Sequence, residues 1–477
     1  ILEDDPLTNE EEEDPVSAGD ALGWIETNWN NEWVQENWIV KETQTTETEG
    51  KAEFDEINTV DDEGRHRVIM FVETYSPANV NIIATPLVVH LPVMMPDIPE
   101  EGAWDGESWL DTYNDEVHLY PKNVVQESVK SVDAESTEVT YTDDEGVERT
   151  ISVVDLEKGV PLDYQIEVPI PLFIEDVDGV TGKAVIQNFT ITDKPIKNLA
   201  YIAESLEVNA ESTTLTEGED YTLVPNEETG GFTVTILTDG EDGNANEGTL
   251  AKLGEVKGGI LTLTYKMLLT GDAVPDTLHG NTATIEIGRG DEFDYEDKVT
   301  PPENPVTGGR KFIKQDASTK DVLPGAEFVL WNEEKTHYAV FYNGTEALET
   351  YSGTATSIEW VSETEDAEPT IFTANAAGAF EVAGLDYGTY FMQETKAPEG
   401  YALPAGNLAY TEFKVNYGSY ASQISEIETP ADLAVPNTKK GTLPSTGGTG
   451  IFAFLAIGTA LMMGAYLWFK NSKKQEV

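Results

Sequence analysis

The residues whose types and spacing could do chemistry stand far apart in this sequence. Near the C-terminus, in Leu443-Pro444-Ser445-Thr446-Gly447, the proline bends the peptide. The glycine leaves the Thr446 carbonyl clear of side-chain bulk, so a nucleophile can reach it. Upstream, Val117-His118-Leu119-Tyr120-Pro121-Lys122-Asn123 alternates in type. Period two puts Val117, Leu119 and Pro121 on one face and His118, Tyr120 and Lys122 on the other. Pro121 cannot donate to a ladder, so an edge strand with an accessible Lys122 amine is expected. The chain thus offers one open carbonyl and one exposed amine. With five histidines, no constellation of His and carboxylates suits a metal or a hydrolase, and no cofactor is expected. Asp242-Gly-Asn244-Ala-Asn246-Glu-Gly248 approaches a calcium loop. Its glycine falls one position late and no bidentate glutamate follows, so it reads as an acidic turn.

The elements that must position these groups are β-strands. Short Val, Ile, Tyr, Phe and Thr runs such as Phe232–Leu237, Ile260–Tyr265 and Thr282–Ile287 alternate with Gly, Asp, Asn and Pro turns, the pattern of all-β sandwiches. The 477 residues allow about three domains. There is no cysteine, and 28 Lys+Arg against 89 Asp+Glu give a net charge of −61. Phosphate would be repelled, so no nucleic acid and no anionic membrane surface is expected as a partner. The expected order is an acidic disordered arm over 1–20, an N-terminal domain over 21–123, and a middle sandwich over 124–298. A Pro-rich linker over 299–309 precedes a further sandwich over 310–437 and a tail over 438–477. Trp24, Trp29, Trp33 and Trp38 read as packing residues. In the tail, residues 450–469 carry no charge and are long enough to span a bilayer as a helix. Lys470, Lys473 and Lys474 follow on the cytoplasmic side. An internal echo relates Glu73-Thr-Tyr-Ser-Pro77 to Glu394-Thr-Lys-Ala-Pro398. The second copy has an early strand, Phe312-Ile-Lys314-Gln-Asp316, with no counterpart upstream of the first. The chain also starts at Ile1 without a leader. Both features lead us to expect that the opening strands and a signal peptide precede this sequence.

The pentapeptide, apolar stretch and basic end, in that order, resemble the LPXTG sorting signal of sortase substrates. Val117–Asn123 resembles the pilin motif of sortase-assembled Gram-positive backbone pilins, in which the lysine is the nucleophile. Pro86-Leu-Val-Val-His-Leu-Pro92 resembles the first domain of the same family. The resemblance implies that a sortase cysteine attacks the Thr446 carbonyl, releases Gly447 onward and holds a thioester. Lys122 of another copy, with Tyr120, Pro121 and Asn123 around it, would then resolve that thioester. Partners implied are a pilin-type sortase, a housekeeping sortase, other copies of the chain, ancillary pilins and peptidoglycan, with the membrane only a transient anchor. The implied product is a covalent surface fibre fixed to the cell wall, and not an enzyme. The alternative is a wall-anchored adhesin that does not polymerise.

Residues 310–437 resemble a Cna B-type domain. The carriers are Phe312–Asp316, Leu323-Pro-Gly325-Ala-Glu-Phe328, Gly388-Thr-Tyr390 through Tyr401, and Val435-Pro-Asn437. In that family a first-strand lysine bonds a last-strand asparagine with the aid of a glutamate, which here implies Lys314, Asn437 and Glu394. Lys314 shares a strand face with Phe312, whereas Lys311 points the other way. Burial favours the neutral amine and the neutral acid, and attack on the amide expels ammonia. The middle domain resembles the second domain of fimbrial subunits in Phe189-Thr-Ile-Thr-Asp193, Leu206–Asn209, Gly218–Tyr221 and Gly280-Asn281. By analogy Lys130 would bond Asn281, placed in its last strand, with Asp193 as the acid. Lys194-Pro195 departs from the family pattern. In the N-terminal domain no such cross-link is expected.

Overall fold

The computed structural model describes residues 42–46, 50–55, 57–97, 109–114, 116–240, 242–289, 292–365 and 367–441, with 459, 461–463 and 465. The acidic arm, the four tryptophans and the sorting signal at 443–447 lie outside these residues, as does almost all of 450–469. Among the described residues no helix is long and apolar enough to cross a membrane.

The chain is nearly all β. The middle domain is a sandwich of two antiparallel sheets. One runs in the order Thr213–Thr214, Glu207–Ala210, Ile260–Leu269, Leu162–Pro169, Val129–Val132, with Leu199–Tyr201 also on the central strand. The other runs Tyr221–Asn226, Gly231–Ile236, Asn188–Pro195, Asn281–Arg289, Glu292–Val299. Alternation decides what faces inward. In Ile260–Leu269 the residues Leu261, Leu263, Tyr265, Met267 and Leu269 are buried while their neighbours are more exposed, as a period of two requires. Asn281 opens the penultimate strand of this sandwich, because Glu292–Val299 adds one more at the edge. That differs from the last-strand position expected from the sequence.

The next sandwich sets the sheet Ala379–Leu385, Gly308–Asp316, Leu433–Asn437 against a larger one built on His337–Asn343, Glu327–Trp331, Gly388–Lys396 and Tyr410–Val415. Its core is aromatic: Phe312 stacks on Phe380 at 4.8 Å and Phe380 on Phe328 at 4.2 Å. Burial of that much ring surface is the main stabilising term here.

The stretch 299–309, read from its prolines and glycines as a linker, is strand instead. Glu303–Val306 pairs in parallel with Glu148–Asp155, and Gly308 already begins the next strand. Pro305 is tolerated because its strand is paired on one side only, as on any sheet edge. Gly309 is there for close approach. A Cβ on it would lie 2.5 Å from the Val382 carbonyl oxygen.

The two sandwiches meet through buried polar groups. Asp276 accepts from the backbone N–H of Tyr420 and Ala421 at 2.8 and 2.9 Å. The amine of fully buried Lys158 donates to the Gly271 carbonyl at 2.7 Å and, across the junction, to that of Gly353 at 3.3 Å. Beside it, Trp360 Nε1 donates to Glu157 at 2.8 Å. Burial pushes the Glu157 carboxyl up to about 7, with the Trp360 bond opposing and Asp386 adding to the rise. A carboxyl raised above its unfolded value contributes stability that is full below about 4.5 and is lost as pH rises through about 7. Glu157→Gln should therefore flatten the pH dependence of the thermal midpoint between pH 4.5 and 7. The wild-type loss over that window should amount to up to roughly 3 kcal/mol. Parallel curves for the two proteins would refute the assignment.

Candidate functional sites

In the C-terminal sandwich, Phe312, Lys314 and Asp316 all point inward from one strand. The neighbouring Lys311 lies outside, its amine 4.2 Å from the centre of the Tyr420 ring. Leu433–Asn437 runs parallel to that strand with Asn437 opposite Asp316, while Glu394 comes from Gly388–Lys396 in the facing sheet. The side chains of Lys314, Glu394 and Asn437 converge in the core, with at most 4% of any one exposed. Lys314 Nζ donates to Glu394 Oε2 at 2.9 Å and to Asn437 Oδ1 at 2.7 Å. Asn437 Nδ2 donates to Glu394 Oε1 at 2.7 Å. The carboxyl thus holds nucleophile and leaving nitrogen on separate oxygens, and the ammonium polarises the amide carbonyl. Burial pushes the Lys314 amine down, with Glu394 opposing. That is the direction a nucleophile needs.

The middle sandwich sets its lysine and asparagine on opposite sheets rather than on adjacent strands of one. Lys130, on Val129–Val132, faces Asp193 and Asn281 on neighbouring strands of the other sheet. Lys130 and Asp193 form a fully buried ion pair through Nζ and Oδ1. Asn281 Nδ2 donates to Asp193 Oδ2 at 3.2 Å and contacts Met267 Sδ at 3.0 Å. Burial brings the Lys130 amine down to about 8, against the pull of Asp193. One contributor is absent from the sequence reading: Tyr265, whose hydroxyl donates to Asp193 Oδ1 at 2.8 Å. It could have been noticed as the one hydroxyl-bearing ring among the inward positions of an otherwise aliphatic strand. Burial raises its phenol well above the usual range, so it stays a donor. Asn281 Oδ1 is buried with no hydrogen-bond partner among the described residues, unlike Asn437 Oδ1 with its lysine.

The exposed amine lies in a different setting. Residues 117–123 belong to no strand, which corrects the expected edge strand. Val117 is itself exposed and Tyr120 is 76% exposed. Two apolar residues ahead of a proline bury too little to hold a ladder. Lys122 is exposed as expected, and regular pairing resumes only where Val124–Val125 meets Val80–Ile82. Asn123 is half-buried. Its Nδ2 donates to Glu73 Oε1 at 2.9 Å, and its Oδ1 accepts from the Ala84 N–H at 2.7 Å. The Asp242 carboxylate closes its own turn, accepting from Asn244 N and Nδ2.

Comparison with known proteins bears on the N-terminal domain, the C-terminal sandwich and the tail. Residues 7–124 match the family model of the Gram-positive pilin subunit D1, N-terminal domain, and residues 308–425 match that of a prealbumin-like fold domain. Residues 435–477 match the LPXTG cell wall anchor motif. The chain is similar to the fimbrial subunit type 2 of Actinomyces naeslundii, at 25% identity over 425 residues, covering 83% of this chain and 68% of the relative. Among solved structures it is similar to the full-length major pilin RrgB of Streptococcus pneumoniae, with 17% identity and a TM-score of 0.46. That match covers 80% of this chain and 81% of that one. It is also similar to the pilus 2b backbone protein of group B streptococcus, with 25% identity and a TM-score of 0.43, covering 66% and 99%. A pilin N-terminal domain, a prealbumin-like domain and a wall anchor follow one another on one chain, and a fimbrial subunit is its relative, which makes this protein a structural subunit of a cell-wall-anchored pilus.

Proposed function

We propose that each subunit carries both partners of the intersubunit bond, Thr446 as acyl donor and Lys122 as acceptor. A pilin-type sortase cysteine adds to the Thr446 carbonyl. The Thr446–Gly447 bond breaks, the Gly447 amine leaves with a proton, and a thioester remains. The neutral amine of Lys122 from the next copy attacks it, the thiol departs and an amide forms. Donor and acceptor are different residues of every copy, so repetition is head-to-tail and builds an open fibre. A housekeeping sortase would pass the last thioester to peptidoglycan, and ancillary pilins would join by the same chemistry. The observation that carries this reading is the exposed Lys122 next to a residue fixed on both sides of its amide. Wall extracts boiled in detergent should give a high-mass ladder that collapses to monomer in Lys122→Ala. A lone band from the wild type would overturn it.

Within the subunit, the geometry supports two autocatalytic cross-links, Lys314–Asn437 and Lys130–Asn281. A proton passes from Lys314 Nζ to Glu394 Oε2 along their hydrogen bond, and the free amine attacks Cγ of Asn437. The carboxyl returns a proton through Oε1 to Nδ2, which leaves as ammonia. The new nitrogen then gives its surplus proton to the carboxylate. An ammonium, a carboxylate and an amide become a secondary amide, a carboxylic acid and ammonia, with no net change of charge. A buried ion pair is thereby replaced by a neutral bond, which removes its desolvation cost. Asp193 has the same two-oxygen arrangement between Lys130 and Asn281.

A further inference from the structure

The middle-domain site holds a hydroxyl that the cross-linking steps above leave unused. Tyr265 stands on the central strand Ile260–Leu269, buried beside Tyr164, its partner across the sheet. The two rings stack at 5.6 Å, and Phe232 of the facing sheet meets Tyr265 edge-on at 4.8 Å. Packing on both sides fixes the direction of the phenol. Its oxygen bridges the acid and the amide. It donates to Asp193 Oδ1 at 2.8 Å and accepts from Asn281 Nδ2 at 3.5 Å.

The two cross-link sites differ in reach. Glu394 meets Asn437 Nδ2 at 2.7 Å, whereas Asp193, one methylene shorter, meets Asn281 Nδ2 at 3.2 Å. Lys130 is held by Oδ1 of Asp193, and Asn281 by Oδ2. A proton taken from the lysine therefore arrives on the oxygen that does not touch the leaving nitrogen. Tyr265 touches both that oxygen and that nitrogen.

We propose that Tyr265 is a catalytic residue for the Lys130–Asn281 bond, relaying a proton from Asp193 Oδ1 to the departing nitrogen of Asn281. The inference rests on that bond forming. Lys130 Nζ gives a proton to Oδ1, and the free amine attacks Cγ of Asn281. In the tetrahedral adduct the Nδ2 lone pair is no longer delocalised, so the nitrogen becomes basic. The Tyr265 hydroxyl proton passes to Nδ2 as the Oδ1 proton passes to the phenol oxygen. The Cγ–Nδ2 bond breaks and ammonia leaves. The new nitrogen returns its surplus proton to Asp193, and Tyr265 ends as it began. Its phenol suits a relay rather than a base. Burial, with the Asp193 charge adding to it, holds the phenol well above its ordinary range. It therefore gives up one proton only as it receives another.

The test follows the full chain after a pulse of synthesis. Samples are denatured and digested, and the joined Lys130 and Asn281 peptides are measured by mass. The joined Lys314 and Asn437 peptides of the same samples serve as a clock for folding. Tyr265→Phe keeps the ring and should slow the middle bond roughly a hundredfold against that clock, the size of a lost proton transfer. The bond should still reach completion, because Asp193 Oδ2 touches Asn281 directly. Tyr164→Phe removes the neighbouring buried hydroxyl, which has no hydrogen-bond partner among the described residues, and should leave the rate at the wild-type value. Equal rates for wild type and Tyr265→Phe overturn the inference. So does a Tyr164→Phe as slow as Tyr265→Phe, since lost core polarity would then account for both. A Tyr265→Phe that never forms the bond also overturns it, because misplaced residues rather than a missing proton path would be at fault. A wild-type chain without the joined Lys130 and Asn281 peptides would sink the cross-link itself.

Discussion

Glu394→Ala should leave the C-terminal sandwich at the full mass of its own sequence, without the loss of one ammonia expected of the wild type, and lower its thermal midpoint more than any other single change in the domain. Two losses add. The first is the cross-link. It would close a loop of residues 314 to 437, a separation of 123, and its chain-entropy effect is about 5 kcal/mol. The second is local. Lys314 is fully buried, and among the described residues its carboxylate partner is Glu394. Removing one side of a buried pair costs roughly 3–5 kcal/mol in its own right. Lys314→Met separates the two. It also abolishes the bond, but it places an unbranched apolar chain in the aromatic core near Phe328 and leaves no stranded ammonium. The midpoint should therefore fall in Lys314→Met, and further in Glu394→Ala, by roughly 20 °C or more in the latter. A wild-type mass equal to that of the unmodified chain would refute both internal bonds. The middle-domain bond serves as an internal control, because Glu394→Ala should leave its ammonia loss untouched.

The second large effect is mechanical. Tension in the fibre would enter a subunit at Lys122 and leave at Thr446. With both cross-links formed, force passes from Lys130 directly to Asn281, then from Lys314 directly to Asn437. The chain enclosed by each bond is shielded, and the N-terminal domain up to residue 121 hangs outside the loaded path. What remains extensible is 123–129, 282–313 and the tail. Much of 282–313 is strand, in Asn281–Arg289, Glu292–Val299 and Glu303–Val306. Single-molecule pulling between residues 122 and 442 should show no unfolding step beyond about 100 Å for the wild type. Asp193→Ala should release a further step on the order of 500 Å and Glu394→Ala one on the order of 400 Å, the contour lengths of the enclosed chain at roughly 3.5 Å per residue. Wild-type traces that already contain those long steps would show that the bonds do not carry the load.

Much of this was legible in the amino-acid sequence. The wall anchor is a linear signal, and its pentapeptide, apolar run and basic end can be read without any fold. The all-β class followed from period-two runs between turn residues, and the choice of Lys314 over Lys311 followed from strand alternation alone. Each of these depends only on neighbours along the chain.

What the sequence could not decide depends on contacts between distant segments. The Pro-Gly stretch at 299–309 has the composition of a linker, yet Glu148–Asp155 offers it an edge to pair with, and a free edge is a tertiary fact. The segment 117–123 alternates like a strand, yet among the described residues no strand pairs with it, and Asn123 is held by its side chain instead. Tyr265 reaches Asp193 only because two sheets face each other across the core. Strand alternation gives the direction of a side chain, but the group it meets is chosen by how the sheets pack.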